Sequence, residues 1–307
     1  MTLQNQNTDR ARAPFSGITR RDMLLRTAAG VAGGALLAPE EIGNAAPRWL
    51  QAGGAAGGRL KQSVCRWCYN KIPLDDLAKY AASIDLKGID LIQPNDWPIV
   101  KKYGLTPTMT SGAGTIADGC NRRDLHDKLA KEFEANIPRA AENNVPNVIT
   151  FSGNRKGMSD GEGIENTALI LDRVKGLAEK HGVTICIELL NSKVDHKDYM
   201  CDHTAWGVEV VKRVNSPRVK LLYDIYHMQI MEGDVIRTIR QNIGHIAHFH
   251  TGGNPGRNEL DDTQELNWRT IARAIADLGF QGYVAHEFVP KRDPLKSLKE
   301  AVDLCTV

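Results

Sequence analysis

Four ionisable side chains recur at intervals of about one strand plus one helix in the second half of this 307-residue chain. They are Glu188, Asp224, His250 and Glu287, with successive separations of 36, 26 and 37 residues. Each ends an apolar or β-branched run of the kind that forms a buried strand. Three carboxylates that converge in apolar surroundings repel one another and stay ionised only if a cation neutralises them. The pattern therefore predicts a divalent-metal site with these four residues as ligands.

The donor types indicate which cation would bind. Three carboxylates and one imidazole suit Mn²⁺ or Mg²⁺, while Co²⁺, Fe²⁺ and Zn²⁺ are alternative occupants. No thiolate belongs to the set, which argues against a structural zinc site. Each residue alone also has an ordinary explanation, because a carboxylate at a strand end often caps a helix and a buried histidine is often a hydrogen-bonded core group. The regular spacing favours one shared site.

Short apolar runs alternate with amphipathic helical patterns from residue 62 onward. The predicted strands are 63–67, 88–92, 106–110, 147–152, 183–190, 219–224, 245–250 and 282–288. The predicted helices are 75–82, 124–142, 165–181, 204–214, 235–241, 268–278 and 294–304. Strand–helix units without a convincing G-x-G-x-x-G turn favour a single (β/α)8 TIM barrel over a doubly wound sheet. In such a barrel the C-terminal strand ends form the active-site face, where the four side chains would meet.

The first 46 residues have the pattern of an export signal. The pair Arg20-Arg21 precedes a weakly hydrophobic stretch, 27–38, and small residues that suit cleavage near Ala45 or Ala46. This order predicts export by the twin-arginine route and a periplasmic or cell-envelope location. The hydrophobic stretch is too short to cross a bilayer, so no stable membrane span is expected.

The composition is that of an ordinary globular protein. The sequence is 42% hydrophobic and 25% charged, with 39 basic and 37 acidic residues and a net charge of +2. No basic run interleaved with aromatics follows the N-terminal segment, so nucleic acid is not an expected partner. Residues 47–61, which contain the run GGAAGG, are predicted to form a flexible linker, and residues 62–307 one TIM-barrel catalytic domain. A homo-oligomer is compatible with the sequence.

Six cysteines occur between residues 65 and 305. A domain of this size does not need disulfides, and Cys186 lies within an apolar run, so packing is the expected role. Cys65 and Cys68 form a single C-x-x-C motif without a second pair, which argues against zinc. The motif lies on or just after the first strand rather than at the start of a helix, which argues against a redox role.

Three segments resemble the hydroxypyruvate isomerase family of xylose isomerase-like barrels. They are 187–191 (IELLN), 223–234 (YDIYHMQIMEGD) and 255–257 (PGR). The resemblance covers most of residues 62–305 and implies that Glu188, Asp224, His250 and Glu287 surround the metal. It also implies that Glu188 and Glu287 exchange the substrate proton. His227 and Arg257 match residues that contact substrate oxygens in that family.

Two segments depart from that family. Residues 250–253 read His-Thr-Gly-Gly, where hydroxypyruvate isomerases usually have a glutamine followed by Ile-Ala-Asp. This segment resembles the ketose 3-epimerases, which strengthens the assignment of His250 as a ligand and weakens the assignment of the substrate. The glycine-rich segment 110–115, after strand three, is the second departure, and the resemblance assigns it no role.

The resemblance implies a reaction through an enediolate. A metal that holds the carbonyl and hydroxyl oxygens of an α-hydroxycarbonyl compound stabilises the enediolate formed when the α-carbon loses its proton. Glu188 and Glu287 would act as base and acid on opposite sides. Return of the proton to the neighbouring carbon is aldose–ketose isomerisation, the expected reaction. Return to the same carbon from the opposite face is epimerisation. The expected partner is a small sugar or hydroxy-keto acid.

Three residues leave alternatives open. Arg257 would pair well with the carboxylate of hydroxypyruvate, but a surface arginine in a turn explains it equally well. His227 either faces the cavity or starts a helix. His248 lies one layer deeper than His250 on the same strand face, where core packing is expected.

Other functions also remain open. The protein could be a ketose 3-epimerase, or an envelope enzyme that acts on oxidised sugars or glycosides. A non-catalytic sugar-binding barrel is less favoured, because a binding protein has no need of two opposed glutamates.

Overall fold

A computed structural model describes residues 58–307, which form a nearly closed parallel barrel. The strands of this part are β1 Lys61–Cys65, β2 Gly88–Asp90, β3 Thr106–Pro107, β4 Thr110–Ala113, β5 Asn147–Thr150, β6 Thr184–Glu188, β7 Val219–Asp224, β8 Ile246–Thr251 and β9 Tyr283–His286. Neighbouring strands pair in parallel, in the order β3-β2-β1-β9-β8-β7-β6-β5-β4. The predicted (β/α)8 TIM barrel is confirmed.

Helices connect the strands and pack around the barrel. They are α1 Leu74–Ser83, α2 Trp97–Lys102, α3 His126–Glu142, α4 Asp160–His181, α5 Thr204–Val214, α6 Ile225–Met231, α7 Val235–Asn242, α8 Trp268–Asp277 and α9 Pro294–Cys305. The predicted ranges agree with these to within a few residues, and those of α5 and β7 match at both ends. The short helices α2 and α6 are absent from the sequence prediction.

The third strand position differs from the prediction. The predicted strand 106–110 is divided into β3, which pairs with β2, and β4, which pairs with β5. Thr108 and Met109 lie between them, and Asn147 Nδ2 donates to Thr108 O (2.9 Å) across the division. Pro107 has no N–H to donate to a ladder, and the register of β4 shifts at Ser111. The barrel therefore has eight strand positions, of which one is shared by two short strands.

Local signals explain where the longest helix starts and stops. Ser159 Oγ accepts a hydrogen bond from Glu162 N (3.3 Å), which caps the N-terminus of α4. Gly182 follows the helix with φ of +67°, a left-handed conformation that glycine adopts without steric cost. The helix consequently ends where β6 must begin.

An apolar layer lies beneath the strand ends. Ile149, Cys186 and Leu222, on the neighbouring strands β5, β6 and β7, form a buried cluster with Met109, which lies between β3 and β4. Cys186 precedes Glu188 by two residues and Leu222 precedes Asp224 by two, so each pair shares a strand face. Glu188 and Asp224 therefore have apolar side chains directly beneath them.

The barrel begins with the first described residues. Arg59 N donates to Val307 O (3.0 Å), Leu60 is buried and Lys61 begins β1, one residue before the predicted domain start. The predicted export signal, 1–46, and the predicted linker up to residue 57 lie outside the described residues. All six cysteines are free thiols, and only Cys68 among them is not buried. Within 58–307, no helix combines the length and the apolar character needed to cross a bilayer.

Candidate active site

The four predicted ligands meet at the C-terminal ends of neighbouring strands. Glu188 and Asp224 end β6 and β7, His250 lies in β8, and Glu287 follows β9 directly. Asp224 and His250 are register partners. The ligand atoms of the four residues lie within 4.8 Å of one another, and all four residues are buried. The structure thus brings together the four residues that their spacing in the sequence predicted to share one site.

His250 lies at the centre of the cluster. Its Nδ1 is 2.6 Å from Glu287 Oε2, 3.3 Å from Glu188 Oε1 and 3.9 Å from Asp224 Oδ2, without a hydrogen bond of good geometry. Its Nε2 lies 2.9 Å from Asp90 Oδ2. A histidine bonded to a carboxylate through one nitrogen presents the other nitrogen in the form that binds metals. This buried nitrogen, aimed at three carboxylates, fits a divalent cation.

The charges of the site are not balanced by its own side chains. Burial raises the pKa of Glu188, and it raises the pKa of Asp224 to about 7. For Glu287 burial acts in the same direction, but Arg257 and His250 outweigh it and hold the pKa well below its usual value. A bound dication would add the positive charge that full ionisation of the three carboxylates requires.

Arg257 reaches the site from the loop between β8 and α8. Its backbone has φ of +54°, and its carbonyl accepts from Val289 N (2.7 Å). Its Nη2 donates to Asp224 Oδ2 (2.7 Å) and to Glu287 Oε2. The guanidinium also lies over the rings of Tyr226 and Trp67, with 5.0 and 5.8 Å to the centroids. The alternative of a surface arginine in a turn is therefore wrong, because the side chain is only 15% exposed.

His227 faces the same cluster from the first turn of α6. Asp224 Oδ1 accepts from His227 N (3.1 Å), which caps the helix. The imidazole is fully buried, with Nδ1 2.6 Å from Asn191 Nδ2 and Nε2 in contact with Arg257 Nη1. His227 thus both starts a helix and points into the site.

Asp90, at the end of β2, is a part of the site that sequence reasoning missed. It is fully buried, and its Oδ2 lies 2.9 Å from His250 Nε2, 3.3 Å from His248 Nε2 and 3.6 Å from Cys65 Sγ. Burial raises the pKa of Asp90, but the two histidines outweigh it and keep the pKa below its usual value. The available signal was a carboxylate within an otherwise apolar predicted strand. His248 is buried as expected, beside this carboxylate.

Trp67 and Asn191 were also missed as site residues. Trp67 Nε1 donates to Glu287 Oε1 (2.5 Å), while the residue stays 41% exposed at the mouth. Asn191 ends the IELLN segment, and its Nδ2 lies 2.6 Å from His227 Nδ1. Cys65 does more than pack, since its thiol contacts both Asp90 and His250.

Comparisons with known proteins place these features in a family. Residues 98–306 match the model of the xylose isomerase-like TIM barrel. A putative hydroxypyruvate isomerase of Danio rerio is 31% identical over 121 residues, which cover 39% of this chain and 44% of that protein. A 2-oxo-tetronate isomerase of Pectobacterium atrosepticum is 23% identical over 237 residues, which cover 73% of this chain and 89% of that protein. The first match therefore spans less than half of its relative.

Solved structures show the same fold at low identity. A family 2 AP endonuclease from Brucella melitensis superposes with a TM-score of 0.69 at 23% identity, covering 78% of this chain and 97% of that one. A 3-keto-D-glucoside 4-epimerase from E. coli superposes with a TM-score of 0.67 at 18% identity, covering 81% and 100%. Since the family model spans more than half of the sequence, the chain belongs to the xylose isomerase-like TIM barrel family.

Proposed function

We propose that the protein is a metal-dependent isomerase that acts on a small α-hydroxycarbonyl compound through an enediolate. Aldose–ketose isomerisation of the hydroxypyruvate isomerase type is the proposed reaction. The observation that carries the proposal is the buried convergence of Glu188, Asp224, His250 and Glu287 within 4.8 Å. Relatives named putative hydroxypyruvate isomerase and 2-oxo-tetronate isomerase support the reaction class.

The same four residues would hold the cation, for which Mn²⁺ or Mg²⁺ is the best match to the donors. When bound, the cation supplies Lewis-acid stabilisation of negative charge on the substrate oxygens. Asp90 holds the ring of His250 so that Nδ1 faces the carboxylates. All four residues are buried, and low solvent exposure strengthens electrostatic interactions between them.

Glu188 and Glu287 are the proposed proton carriers. They extend from β6 and β9, which lie on either side of the central pair β7 and β8. Arg257 Nη2 donates to Glu287 Oε2 and favours its ionised form, whereas burial raises the pKa of Glu188. Environments that move the pKa values of two carboxyl groups apart suit an acid–base pair. Trp67 Nε1 orients the carboxylate of Glu287.

Epimerisation is the second candidate, and one motif favours it. Residues 250–253 read His-Thr-Gly-Gly, a segment that resembles the ketose 3-epimerases. Proton carriers on opposite sides allow return of the proton to the same carbon from the other face. An envelope enzyme for oxidised sugars or glycosides would use the same side chains.

Transfer of solvent deuterium to the substrate α-carbon tests the proposal. The Mn²⁺-loaded protein is incubated in D₂O with hydroxypyruvate, other small hydroxy-keto acids and ketoses, and ¹H NMR follows loss of the α-proton signal. We expect label in at least one compound and loss of labelling after chelation. The position of the label and the product distinguish isomerisation from epimerisation. No labelling of any compound would refute an isomerase and favour a binding protein.

Two matched variants test the acid–base pair. Glu188→Gln and Glu287→Gln should each lower turnover by about 100-fold or more, because Gln keeps a metal-binding oxygen but cannot carry the proton. Metal content is measured on the same samples, so that loss of metal is distinguished from loss of chemistry. Glu209→Gln, a half-exposed change on α5, is the control. Normal turnover by both metal-loaded variants would exclude this pair.

A further inference from the structure

A second group of potential ligands lies beside the predicted metal cluster, on the Nε2 side of the His250 ring. Cys65 ends β1, Asp90 ends β2 and His250 lies in β8, and all three residues are buried. Their ligand atoms lie within 4.8 Å of one another. The three carboxylates of the predicted metal cluster face the other ring nitrogen, Nδ1. The two groups therefore share one imidazole and no other residue.

The separations between the ligand atoms of the second group are close to those around a small divalent cation. Cys65 Sγ lies 3.6 Å from Asp90 Oδ2 and 3.8 Å from His250 Nε2, and Asp90 Oδ2 lies 2.9 Å from His250 Nε2. Bonds of about 2.0–2.3 Å at tetrahedral angles separate ligand atoms by about 3.3–3.6 Å. Thr108 Oγ1 donates to the other oxygen of Asp90, Oδ1, which leaves Oδ2 to face this group.

Hydrogen bonds alone also account for these three contacts, but they do not account for His248. Its ring is fully buried, and its Nε2 lies 3.3 Å from Asp90 Oδ2. Neither of its nitrogens makes a hydrogen bond of good geometry to a described residue. A buried polar atom without a partner is unfavourable. A cation beside Asp90 would give Nε2 of His248 the partner that it lacks.

We propose that Cys65, Asp90 and His250, with His248 as a fourth ligand, form a second cation site that takes a thiophilic dication such as Zn²⁺ or Co²⁺. A thiolate and imidazole nitrogens favour these cations over Mn²⁺ and Mg²⁺, which prefer oxygen ligands. The thiolate and the carboxylate balance the charge of one dication in this buried position. The thiol and Nε2 each release one proton to solvent when the cation binds.

His250 connects the second site to the predicted metal cluster. It has one nitrogen for each position, so its ring bridges the two cations when both are bound. A cation at Nε2 would replace the hydrogen bond from this nitrogen to Asp90 as the contact that orients the ring. The second site does not depend on the proposed isomerase reaction, because no substrate contributes a ligand to it.

Titration of the chelator-treated, full-length protein with Co²⁺ tests the second site. We expect each chain to bind one more equivalent of Co²⁺ than of Mn²⁺, with a near-ultraviolet charge-transfer band that requires a thiolate ligand. Cys65→Ser should lose this band and the additional equivalent. Cys68→Ser removes the neighbouring, partly buried thiol and is the matched control, which should keep both. His248→Gln should weaken the additional binding step by about 10-fold or more.

X-ray absorption at the zinc edge gives a readout that needs no variant. The Zn²⁺-loaded wild type should show a sulfur ligand at about 2.3 Å together with nitrogen and oxygen ligands at about 2.0–2.2 Å. Thermal melts establish that the variants are folded.

The absence of both the charge-transfer band and the sulfur ligand would overturn the second site. A band that persists in folded Cys65→Ser, or that is lost in Cys68→Ser, would overturn the assignment of Cys65, and unchanged affinity in His248→Gln would overturn the four-ligand set. A thiolate-bound cation in a protein that exchanges no substrate proton would support the second site and refute the proposed isomerase. Turnover without a thiolate-bound cation would do the reverse.

Discussion

The carboxylate of Asp90 determines how His250 faces the site. Its Oδ2 lies 2.9 Å from His250 Nε2, and its Oδ1 accepts from Thr108 Oγ1. An imidazole has two nitrogens, and the one bonded to Asp90 cannot also bind a cation among the carboxylates. The orientation of this ligand therefore depends on a residue that lies 160 positions away in the sequence.

Replacement of Asp90 by Asn should weaken metal binding more than it weakens the fold. The amide removes the charge opposite His250 and offers a competing donor, so we expect Mn²⁺ affinity to fall by about 10–100-fold. Isothermal titration of chelator-treated protein measures the dissociation constant. Cys65→Ser, which keeps a donor beside Asp90, is the control and should change affinity by no more than a few-fold. Wild-type affinity in Asp90→Asn would contradict this role.

The spacing of Glu188, Asp224, His250 and Glu287 could be read from the sequence because each lies at or beside the end of a strand. Asp90 also ends a strand, β2, but it lies inside the longer predicted strand 88–92, where nothing marks its side chain as a partner of His250. That contact depends on closure of the barrel across β1 and β9. Asp224 has two roles, because its two oxygens point in different directions. Oδ1 caps the helix at His227, and Oδ2 accepts from Arg257 within the cluster.

At the scale of elements, Glu259 joins the loop that carries Arg257 to the segment that follows β9. Its Oε1 accepts from Lys291 N (2.9 Å), Arg292 N (3.0 Å) and Ser297 Oγ (3.0 Å). Arg257 and Glu287 belong to these two segments, so Glu259 helps to set the distance between them.

The contribution of Glu259 to stability should depend on pH. Burial raises the pKa of Glu259, but hydrogen bonds from the backbone of Arg292 and Lys291 outweigh it and hold the pKa below its usual value. A lowered pKa in the folded state stabilises the protein above the unfolded-state pKa, about 4.3, and this stabilisation is lost as pH falls through the folded-state pKa.

Glu259→Gln should therefore lower the free energy of unfolding at pH 7 by about 1–2 kcal/mol and by less in acid. The comparison is made by urea unfolding of wild type and variant between pH 3 and pH 7. Glu300→Gln removes a half-exposed partner of Arg292 and should have little effect at any pH. A difference for Glu259→Gln that stays constant over this range would argue against the charge as the cause.

Periodicity predicted most elements but not α6. Four successive residues of α6, Ile225–Met228, are buried, so this helix has no polar face from which a helical period could be read. The division of the third strand was missed for a different reason. Residues 106–110 alternate as a strand does, and only the register of the two neighbouring strands shows that pairing changes from β2 to β5.

At the scale of the whole chain, export remains a prediction, because residues 1–46 lie outside the described part. We propose a periplasmic location on the pattern around Arg20 and Arg21. Changing both to Lys should keep the protein in the cytoplasm without loss of activity, since the barrel begins near residue 58. Cell fractionation measures the distribution, and Arg10→Lys/Arg12→Lys is the control that should still be exported. Export of the first double variant would refute the twin-arginine route.

The division between β3 and β4 gives the described sheet two edge strands, because these two strands do not pair with each other. Strands β6, β7 and β8 are hydrogen-bonded on both sides, whereas β3 pairs only with β2 and β4 only with β5. Local opening should therefore cost least there, and backbone amides of 110–113 should exchange with solvent faster than those of 221–224. Equal protection in hydrogen–deuterium exchange would contradict this expectation.

Thr108 lies between the two strand edges, and its Oγ1 donates a hydrogen bond to Asp90. Local opening between β3 and β4 would break this hydrogen bond, which is one of the contacts that hold Asp90 beside His250. Motion of the barrel wall at this point would therefore affect the orientation of a predicted metal ligand.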